Sequence, residues 1–269
     1  MAVVKLFGQG EVTVVSQPAY SSTNNDSNGD KIIGTLVTLT MNRGENLFNN
    51  ELVTLLHSAL DAVQTVEHPK ALIVTGGDTK FFSNGLDLTA LQQERSASTS
   101  SSSSSHMVTN VWRFLARLLV LDCHTIAAIN GHAFGAGLFL ALACDARIMR
   151  TQRGYLNWPE VNLGMRLGKG FAELTKAKVG SNEIWRHGVL GGQRYTSRQA
   201  VDCGLVDQDC AVEQLPTVAQ RASVAWLQRQ AKLANFDPQT FAQMKMELYT
   251  DAYRALSQAT LHDAPHSRL

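Results

Sequence analysis

Over the first 150 residues, short apolar runs typical of strands alternate with apolar residues at helical spacing. Residues 71–75 and 125–130 are short apolar runs, each followed by a glycine-containing turn, which is typical of strands buried on both faces. Apolar residues recur at helical spacing between residues 52 and 63, after Asn49 or Asn50, either of which can cap a helix. Strands and helices that alternate in this way predict parallel strands joined by right-handed crossovers, and therefore an α/β fold.

The pattern changes after Gly168, where most of the remaining chain has helical spacing. We therefore predict a core at residues 1–195, and a C-terminal helical region with a targeting tail at residues 196–269. Residues 95–106 interrupt the core with a segment that consists almost entirely of serine. Because such a segment has too little apolar surface to be buried, we predict a flexible insert there.

The composition narrows the class of protein. Hydrophobic residues make up 44% of the chain and charged residues 17%, as in a globular protein rather than a disordered one. The net charge of +1 gives no reason to expect nucleic acid or a membrane surface as a partner. The four cysteines show neither a CxxC pair nor zinc-ligand spacing, so we expect no metal and no disulfide.

Two segments combine a preceding strand, a glycine turn and the start of a helix: 82–88 (FSNGLDL) and 130–137 (NGHAFGAG). The first N–H groups of a helix have no partner within it, so such a turn can hold an anion or a developing oxyanion. An ordinary glycine turn also explains the first segment, and tight packing of a helix on a strand also explains the second. Neither segment predicts a site by itself.

A third segment, 155–164 (YLNWPEVNLG), places Glu160 in apolar surroundings. Burial disfavours the charged form of a carboxylate, which is how a general base is adjusted toward neutral pH. The alternative is an exposed glutamate in a loop after Pro159. Taken together, the three segments favour chemistry, because two turns with free N–H groups could share one oxyanion and a carboxylate follows shortly after them.

With segment 195–207 (YTSRQAVDCGLVD) as a fourth match, the chain resembles the crotonase, or enoyl-CoA hydratase/isomerase, superfamily from about Lys31 to about Asp207. The resemblance implies the α/β crotonase (ClpP-like) fold, a spiral of ββα units with a C-terminal helical region. It also implies an acyl-CoA thioester substrate whose carbonyl oxygen is held by the N–H groups of Leu86 and Ala136. No cofactor is implied, since CoA is part of the substrate.

Hydratases of this family carry two glutamates, and only one of them has a counterpart here. Glu160 matches the second, whereas Phe139 stands where the first would be, and a phenyl ring can neither activate nor position water. The resemblance therefore implies a Δ3,Δ2-enoyl-CoA isomerase of fatty acid β-oxidation, in which Glu160 alone moves the proton. The alternatives are an enoyl-CoA hydratase or another crotonase reaction, and a catalytically silent acyl-CoA-binding protein.

Several residues are candidates for contact with the substrate. At Gly85 and Gly135 the missing side chain lets the substrate come close to the backbone, and Phe139 is expected to form an apolar wall. Asn84 could equally be a turn residue, and Trp158 could also be a core residue. Lys245 could bind the CoA phosphates, or it could lie on a solvated helix face. The candidates are Asn84, Gly85, Gly135, Phe139, Trp158 and Lys245.

The last three residues, Ser267-Arg268-Leu269, resemble the Ser-Lys-Leu address of peroxisomal proteins, with arginine keeping the positive charge. They predict an import receptor as a partner and a location in the peroxisome or a related glycosome. Membership of the family would further imply a homotrimer, or a hexamer formed from two trimers.

Overall fold

The computed structural model of the protein describes residues 2–21, 31–97 and 106–258, except for the side chains of residues 95 and 97. The strands in chain order are β1 (Val3–Phe7), β2 (Val12–Ser21), β3 (Lys31–Met41), β4 (Lys70–Gly76), β5 (Phe81–Ser83), β6 (His124–Ile129), β7 (His132–Phe134), β8 (Ala146–Arg150), β9 (Leu156–Asn157) and β10 (Gln208–Cys210). The α-helices are α1 (Asn50–Gln64), α2 (Leu88–Ala97), α3 (His106–Leu119), α4 (Ala136–Ala143), α5 (Lys169–Lys178), α6 (Asn182–Ile184), α7 (Ser197–Asp202), α8 (Leu215–Gln230), α9 (Pro238–Leu248) and α10 (Thr250–Gln258).

The predicted insert at residues 95–106 is shorter than expected at both ends. Residues 95–97 belong to α2 and His106 begins α3, so both flanks are helical. The central part of the insert and the tail at residues 267–269 lie outside the described residues.

The strands form two sheets. The larger sheet has the order β1-β2-β3-β4-β6-β8-β10, and it is antiparallel from β1 to β3 and parallel from β3 onward. The parallel strands predicted at residues 71–75 and 125–130 are β4 and β6, and both are almost completely buried. A second sheet, β5-β7-β9, is entirely parallel and was not predicted from the sequence.

Helices cover both faces of the larger sheet. Alternate side chains of a strand point to opposite faces, and β4 follows this rule. Leu72 and Val74 pack into the main core with α1 and α3, whereas Ile73 packs on the other face with Leu215 and Ala219 of α8. Strands buried on both faces explain the continuous apolar runs in the sequence.

The helix boundaries follow the local signals in the sequence. Asn49 is the cap of α1, because its side chain accepts a hydrogen bond of 2.9 Å from the N–H of Leu52. Thr196 precedes α7 and caps it with a capping box: the backbone N–H of Gln199 donates to the Thr196 hydroxyl, and the Gln199 side chain accepts from the backbone N–H of Thr196. Asp237 caps α9 through the N–H of Thr240.

The chain repeats one unit: a strand of the larger sheet, a strand of the small sheet, and a helix. The three repeats are β4-β5-α2, β6-β7-α4 and β8-β9-α5, with a turn of 3-10 helix at Glu160–Leu163 before α5. The spiral of ββα units and the mainly helical C-terminal region predicted from the sequence are confirmed.

Candidate active site

The small sheet brings the three sequence segments to one edge. Its strands are parallel, so the connections that leave them all emerge at the same side. Strand β5 leads into Gly85 and Leu86, β7 leads into Gly135 and Ala136, and β9 leads into Glu160 two residues after Trp158. The sheet therefore acts as a short platform that gathers residues from positions far apart in the sequence.

A side chain at Gly85 would collide with the neighbouring loop, and at Gly135 the backbone conformation itself favours glycine. A Cβ on Gly85, whose φ is +87°, would lie 2.6 Å from the carbonyl oxygen of Phe134 and 3.2 Å from the backbone nitrogen of Ala136. Gly135 has a φ of +50°, and a Cβ there would lie 3.5 Å from the ring of Pro159. The geometry explains why glycine is needed in both turns.

Two backbone N–H groups are left free at this edge. Ala136 is the first residue of α4, where an N–H has no partner within the helix. On either side of Leu86, the carbonyl of Gly85 accepts from Phe48 (2.8 Å) and the N–H of Asp87 donates back to Phe48 (3.0 Å), but Leu86 itself does not take part. Neither N–H finds an acceptor among the described residues, so both are available for an oxyanion.

Glu160 lies in the third segment, at the same edge of the small sheet as these N–H groups. It follows Pro159, is half-buried, and begins the 3-10 helix Glu160–Leu163. Its Oε2 atom is shielded from solvent and has no hydrogen-bond partner within the described part of the chain. Burial raises the pKa of the Glu160 carboxyl, and its own backbone N–H opposes this only in part. Such a group is suited to accept a proton.

The wall beside the site is aromatic. Phe139, one turn into α4, is completely buried, and its ring stacks face to face on Phe171 of α5 with centroids 4.0 Å apart and planes 6° apart. No carboxylate occurs in α4, all of whose residues are buried. Phe171 was not predicted as a site residue; its place in the first turn of the helix that follows Glu160 was the available signal.

Asn84 and Trp158 have structural partners. The side-chain amide of Asn84 donates to Glu45 Oε2 at 2.6 Å, and its backbone N–H donates to the Glu45 carbonyl at 2.9 Å. Trp158 is fully buried, and its indole N–H donates to Thr175 Oγ1 at 3.3 Å. The turn interpretation of Asn84 and the core interpretation of Trp158 account for these contacts, and contact with substrate stays a prediction for both.

The interpretation of Lys245 as part of a solvated helix face was wrong, and its contact with CoA phosphates stays a prediction that its surroundings do not support. Only 4% of this residue is exposed, and its Nζ donates to the Cys123 carbonyl at 2.8 Å and to Asp145 Oδ2 at 2.6 Å. The ammonium group is therefore held between the starts of β6 and β8. The helical spacing of α9 did not reveal that this lysine faces inward, because an apolar stem with a charged end suits either side of a helix.

Comparison with known proteins places the chain in a family. The sequence profile of the enoyl-CoA hydratase/isomerase family matches residues 31–266, and the chain belongs to that family, the crotonases. It is 36% identical over 172 residues to the peroxisomal enoyl-CoA delta isomerase 2 of Arabidopsis thaliana, covering 64% of this chain and 71% of that protein. Enoyl-CoA delta isomerase 3 of the same plant is 32% identical over 86% of this chain and 95% of its own length.

Hydratases are relatives too. The 2,3-dehydroadipyl-CoA hydratase of Escherichia coli is 32% identical over 64% of each chain. The fold also matches solved structures: an enoyl-CoA isomerase of Mycobacterium tuberculosis (TM-score 0.69, 21% identity, 90% of this chain and 95% of that one) and a family member from Pseudomonas syringae (0.71, 23%, 92% and 98%). At these identities the structures show the shared fold alone. The protein is thus an acyl-CoA enzyme of the crotonase family.

Among the described residues, no group of three or more histidine, cysteine, aspartate or glutamate side chains is placed to hold a metal ion. None of the helices described in this chain combines the length and the apolar character needed to cross a bilayer.

Proposed function

We propose that this protein is a Δ3,Δ2-enoyl-CoA isomerase that converts a 3-enoyl-CoA into the 2-trans-enoyl-CoA. The observation that carries the proposal is the pairing of one half-buried base with an aromatic wall. Glu160 has a carboxylate oxygen with no hydrogen-bond partner among the described residues, at the edge of the small sheet that also carries the Leu86 and Ala136 N–H groups. Phe139 stands where hydratases of the family carry their other carboxylate. One base can move a proton, whereas addition of water needs a second group to activate it.

The reaction follows from these groups. The thioester carbonyl oxygen of the substrate accepts hydrogen bonds from the N–H groups of Leu86 and Ala136, which makes the C2 protons more acidic. Glu160 takes one C2 proton, so that the C2–H bond breaks and a dienolate forms with its negative charge on the thioester oxygen. Loss of one such donor typically costs about 3–4 kcal/mol of transition-state stabilisation.

The second step returns the same proton. As C2=C3 forms and C3=C4 is lost, the Glu160 carboxylic acid donates its proton to C4, and the carboxylate is restored for the next turnover. A raised pKa helps both steps, because it makes the carboxylate a stronger base and keeps the proton available within a poorly hydrated pocket.

Hydration is the second candidate, and the relation to the Escherichia coli 2,3-dehydroadipyl-CoA hydratase favours it. It would require water to enter beside Glu160 and a further acid to protonate C2. The stacked rings of Phe139 and Phe171 weigh against this, since neither carries a polar atom and both are buried.

The test is an absorbance assay with trans-3-hexenoyl-CoA, which follows formation of the conjugated 2-enoyl product, and a parallel assay of 2-hexenoyl-CoA for hydration. Glu160→Gln should slow isomerisation by orders of magnitude. Glu213→Gln is the matched control, because Glu213 also lies in the first turn of a 3-10 helix but is exposed. A folded wild type that hydrates without isomerising would replace this proposal with the second candidate, and full activity of Glu160→Gln would place the base elsewhere.

We further propose a peroxisomal location and a homotrimeric or hexameric assembly. Support for the location comes from the Ser267-Arg268-Leu269 tail, and two of the Arabidopsis relatives are named as peroxisomal. Removal of the three residues from a fluorescent fusion should abolish its import, while sedimentation of the purified protein measures the assembly.

A further inference from the structure

Three aromatic rings form a continuous row that starts beside the candidate oxyanion site. We call Phe139, Phe171 and Trp112 the aromatic row. Phe139 stacks on Phe171 at 4.0 Å, and the edge of Trp112 in α3 meets Phe171 at 5.6 Å with the planes 78° apart. The three residues are 0%, 5% and 1% exposed, so the row lies within the protein.

The aromatic row packs between α4 and α5, the helices that lie next to the oxyanion site and to Glu160. Helix α4 supplies the Ala136 N–H at its first residue, and the N–H of Phe139 bonds to the Gly135 carbonyl at 3.1 Å. Helix α5, which carries Phe171, begins shortly after the 3-10 helix that contains Glu160. Face-to-face contact of the two phenyl rings therefore joins the oxyanion side of the site to the carboxylate side.

Trp112 prevents the row from moving away. A Cβ on Gly168 would lie 2.7 Å from the Trp112 ring, and one on Gly170 would lie 2.9 Å both from that ring and from Leu256 of α10. The backbone at the start of α5 is thus pressed directly onto the indole. The indole N–H finds no acceptor in the described part of the protein, so within these contacts the residue contributes its shape rather than a hydrogen bond.

From this arrangement we infer that Phe171, backed by Trp112, is a positioning residue that holds Phe139 in place and keeps water away from the proton on Glu160. The inference rests on the proposed isomerase function. Between the two steps the migrating proton resides on the Glu160 carboxyl, where any water that reaches it can exchange it for a solvent proton. When the row is tightly packed, Glu160 returns the original proton to C4. When the row is loosened, solvent protons exchange with that proton before it is returned.

Isotope exchange measures this property directly. The isomerisation of trans-3-hexenoyl-CoA is run in D2O, and deuterium at C4 of the product is counted by mass spectrometry at low conversion. Wild type should return mostly the original proton. Phe171→Ala and Trp112→Ala should raise deuterium incorporation several-fold, with a smaller relative loss of kcat, because the base and the N–H groups remain.

Matched variants distinguish the loss of the aromatic row from a general loss of packing in the protein. Trp112→Phe retains a ring against Gly168 and should keep incorporation near the wild-type level. Phe171→Leu fills much of the volume without a stacking ring, and it keeps the test valid where alanine prevents folding. Phe236→Ala removes a different ring contact, with Phe241 at 5.7 Å, and should leave incorporation unchanged.

The results of the exchange experiment distinguish failure of this inference from failure of the proposed function. Increased incorporation in the Phe171 and Trp112 variants, with the Phe236 variant unchanged, supports the inference. Folded and active Phe171→Leu with wild-type incorporation overturns it, as does a wild type that already exchanges completely. A folded wild type with no isomerisation at all refutes the proposed function itself, and that result is distinct because no product forms in which to count deuterium.

Discussion

Gly137, the second residue of α4, lies directly against the backbone of Ser83 at the end of β5. A Cβ on Gly137 would lie 2.8 Å from the Ser83 Cβ and still closer to the Ser83 carbonyl oxygen. Real Cβ atoms do not approach backbone this closely, so the missing side chain sets the distance between the two loops. Those loops carry the Leu86 and Ala136 N–H groups, and the contact therefore fixes the candidate oxyanion site.

We predict that Gly137→Ala reduces kcat/KM for trans-3-hexenoyl-CoA by roughly 100-fold, which is the order of effect expected when reacting groups are displaced by about 1 Å. The methyl group would push α4 away from β5 and separate the two donors. Gly180→Ala is the control, since nothing lies within 4 Å of a Cβ there. Equal activity of the two variants would mean that the contact does not set the site geometry.

The pH dependence of the reaction should report the Glu160 carboxyl. Burial raises its pKa above the ordinary 4.5, and the carboxylate form is needed to accept the C2 proton. As the pH falls, activity should therefore decline earlier than it would with an exposed glutamate. The profile of kcat/KM measures the pKa in the free enzyme. An acid limb at or below pH 4.5 would contradict the burial of this group.

The same shift predicts a cost in stability. A carboxyl whose pKa is raised on folding favours the folded state most below the unfolded pKa, and that contribution is lost as pH rises through the folded pKa. Glu160→Gln removes the charge, so its melting temperature should exceed that of wild type at pH 8 by more than at pH 4. Thermal unfolding measured at both values tests this, with Glu213→Gln expected to show no such pH-dependent difference.

The sequence predicted those features of the site that depend on local backbone chemistry. Glycines at residues 85 and 135 indicated the two turns. Glu160 was identified because it is a carboxylate in apolar surroundings and because it matches the second glutamate of the family. The small sheet itself was not predicted. Its strands are only two or three residues long, too short for a period of two to be recognised.

The sequence pattern could not predict features that depend on which face of a helix points into the protein. Neither Phe171 nor Trp112 was predicted, because only the packing of α3, α4 and α5 brings Phe171 against Phe139 and Trp112 against Phe171. The inward direction of Lys245 could not be predicted for a related reason. Its neighbours Met244 and Leu248 are 58% and 73% exposed, so α9 turns its lysine inward and some of its apolar residues outward, the reverse of the usual amphipathic rule.

The inward position of Lys245 is explained by Asp145. The carboxylate accepts from Lys245 Nζ at 2.6 Å and from the backbone and hydroxyl of Thr125 at 2.8 and 3.1 Å, and His124 Nδ1 lies 3.4 Å away. Burial would raise the pKa of Asp145, but the charge of Lys245 and the contact with His124 outweigh burial and lower it. The pair therefore holds α9 against the starts of β6 and β8.

Asp145→Asn should therefore destabilise the protein by about 3–5 kcal/mol, because removing one partner leaves the buried Lys245 ammonium uncompensated. Asp202→Asn, which breaks an exposed pair with Arg198, should change stability by at most about 1 kcal/mol. A lowered carboxyl pKa stabilises the fold above the unfolded pKa, and this is lost as pH falls through the folded value. Urea unfolding at pH 7 and pH 3 should accordingly show a smaller deficit for Asp145→Asn at pH 3. A deficit no larger than that of Asp202→Asn at pH 7 would mean that α9 is held by its apolar contacts alone.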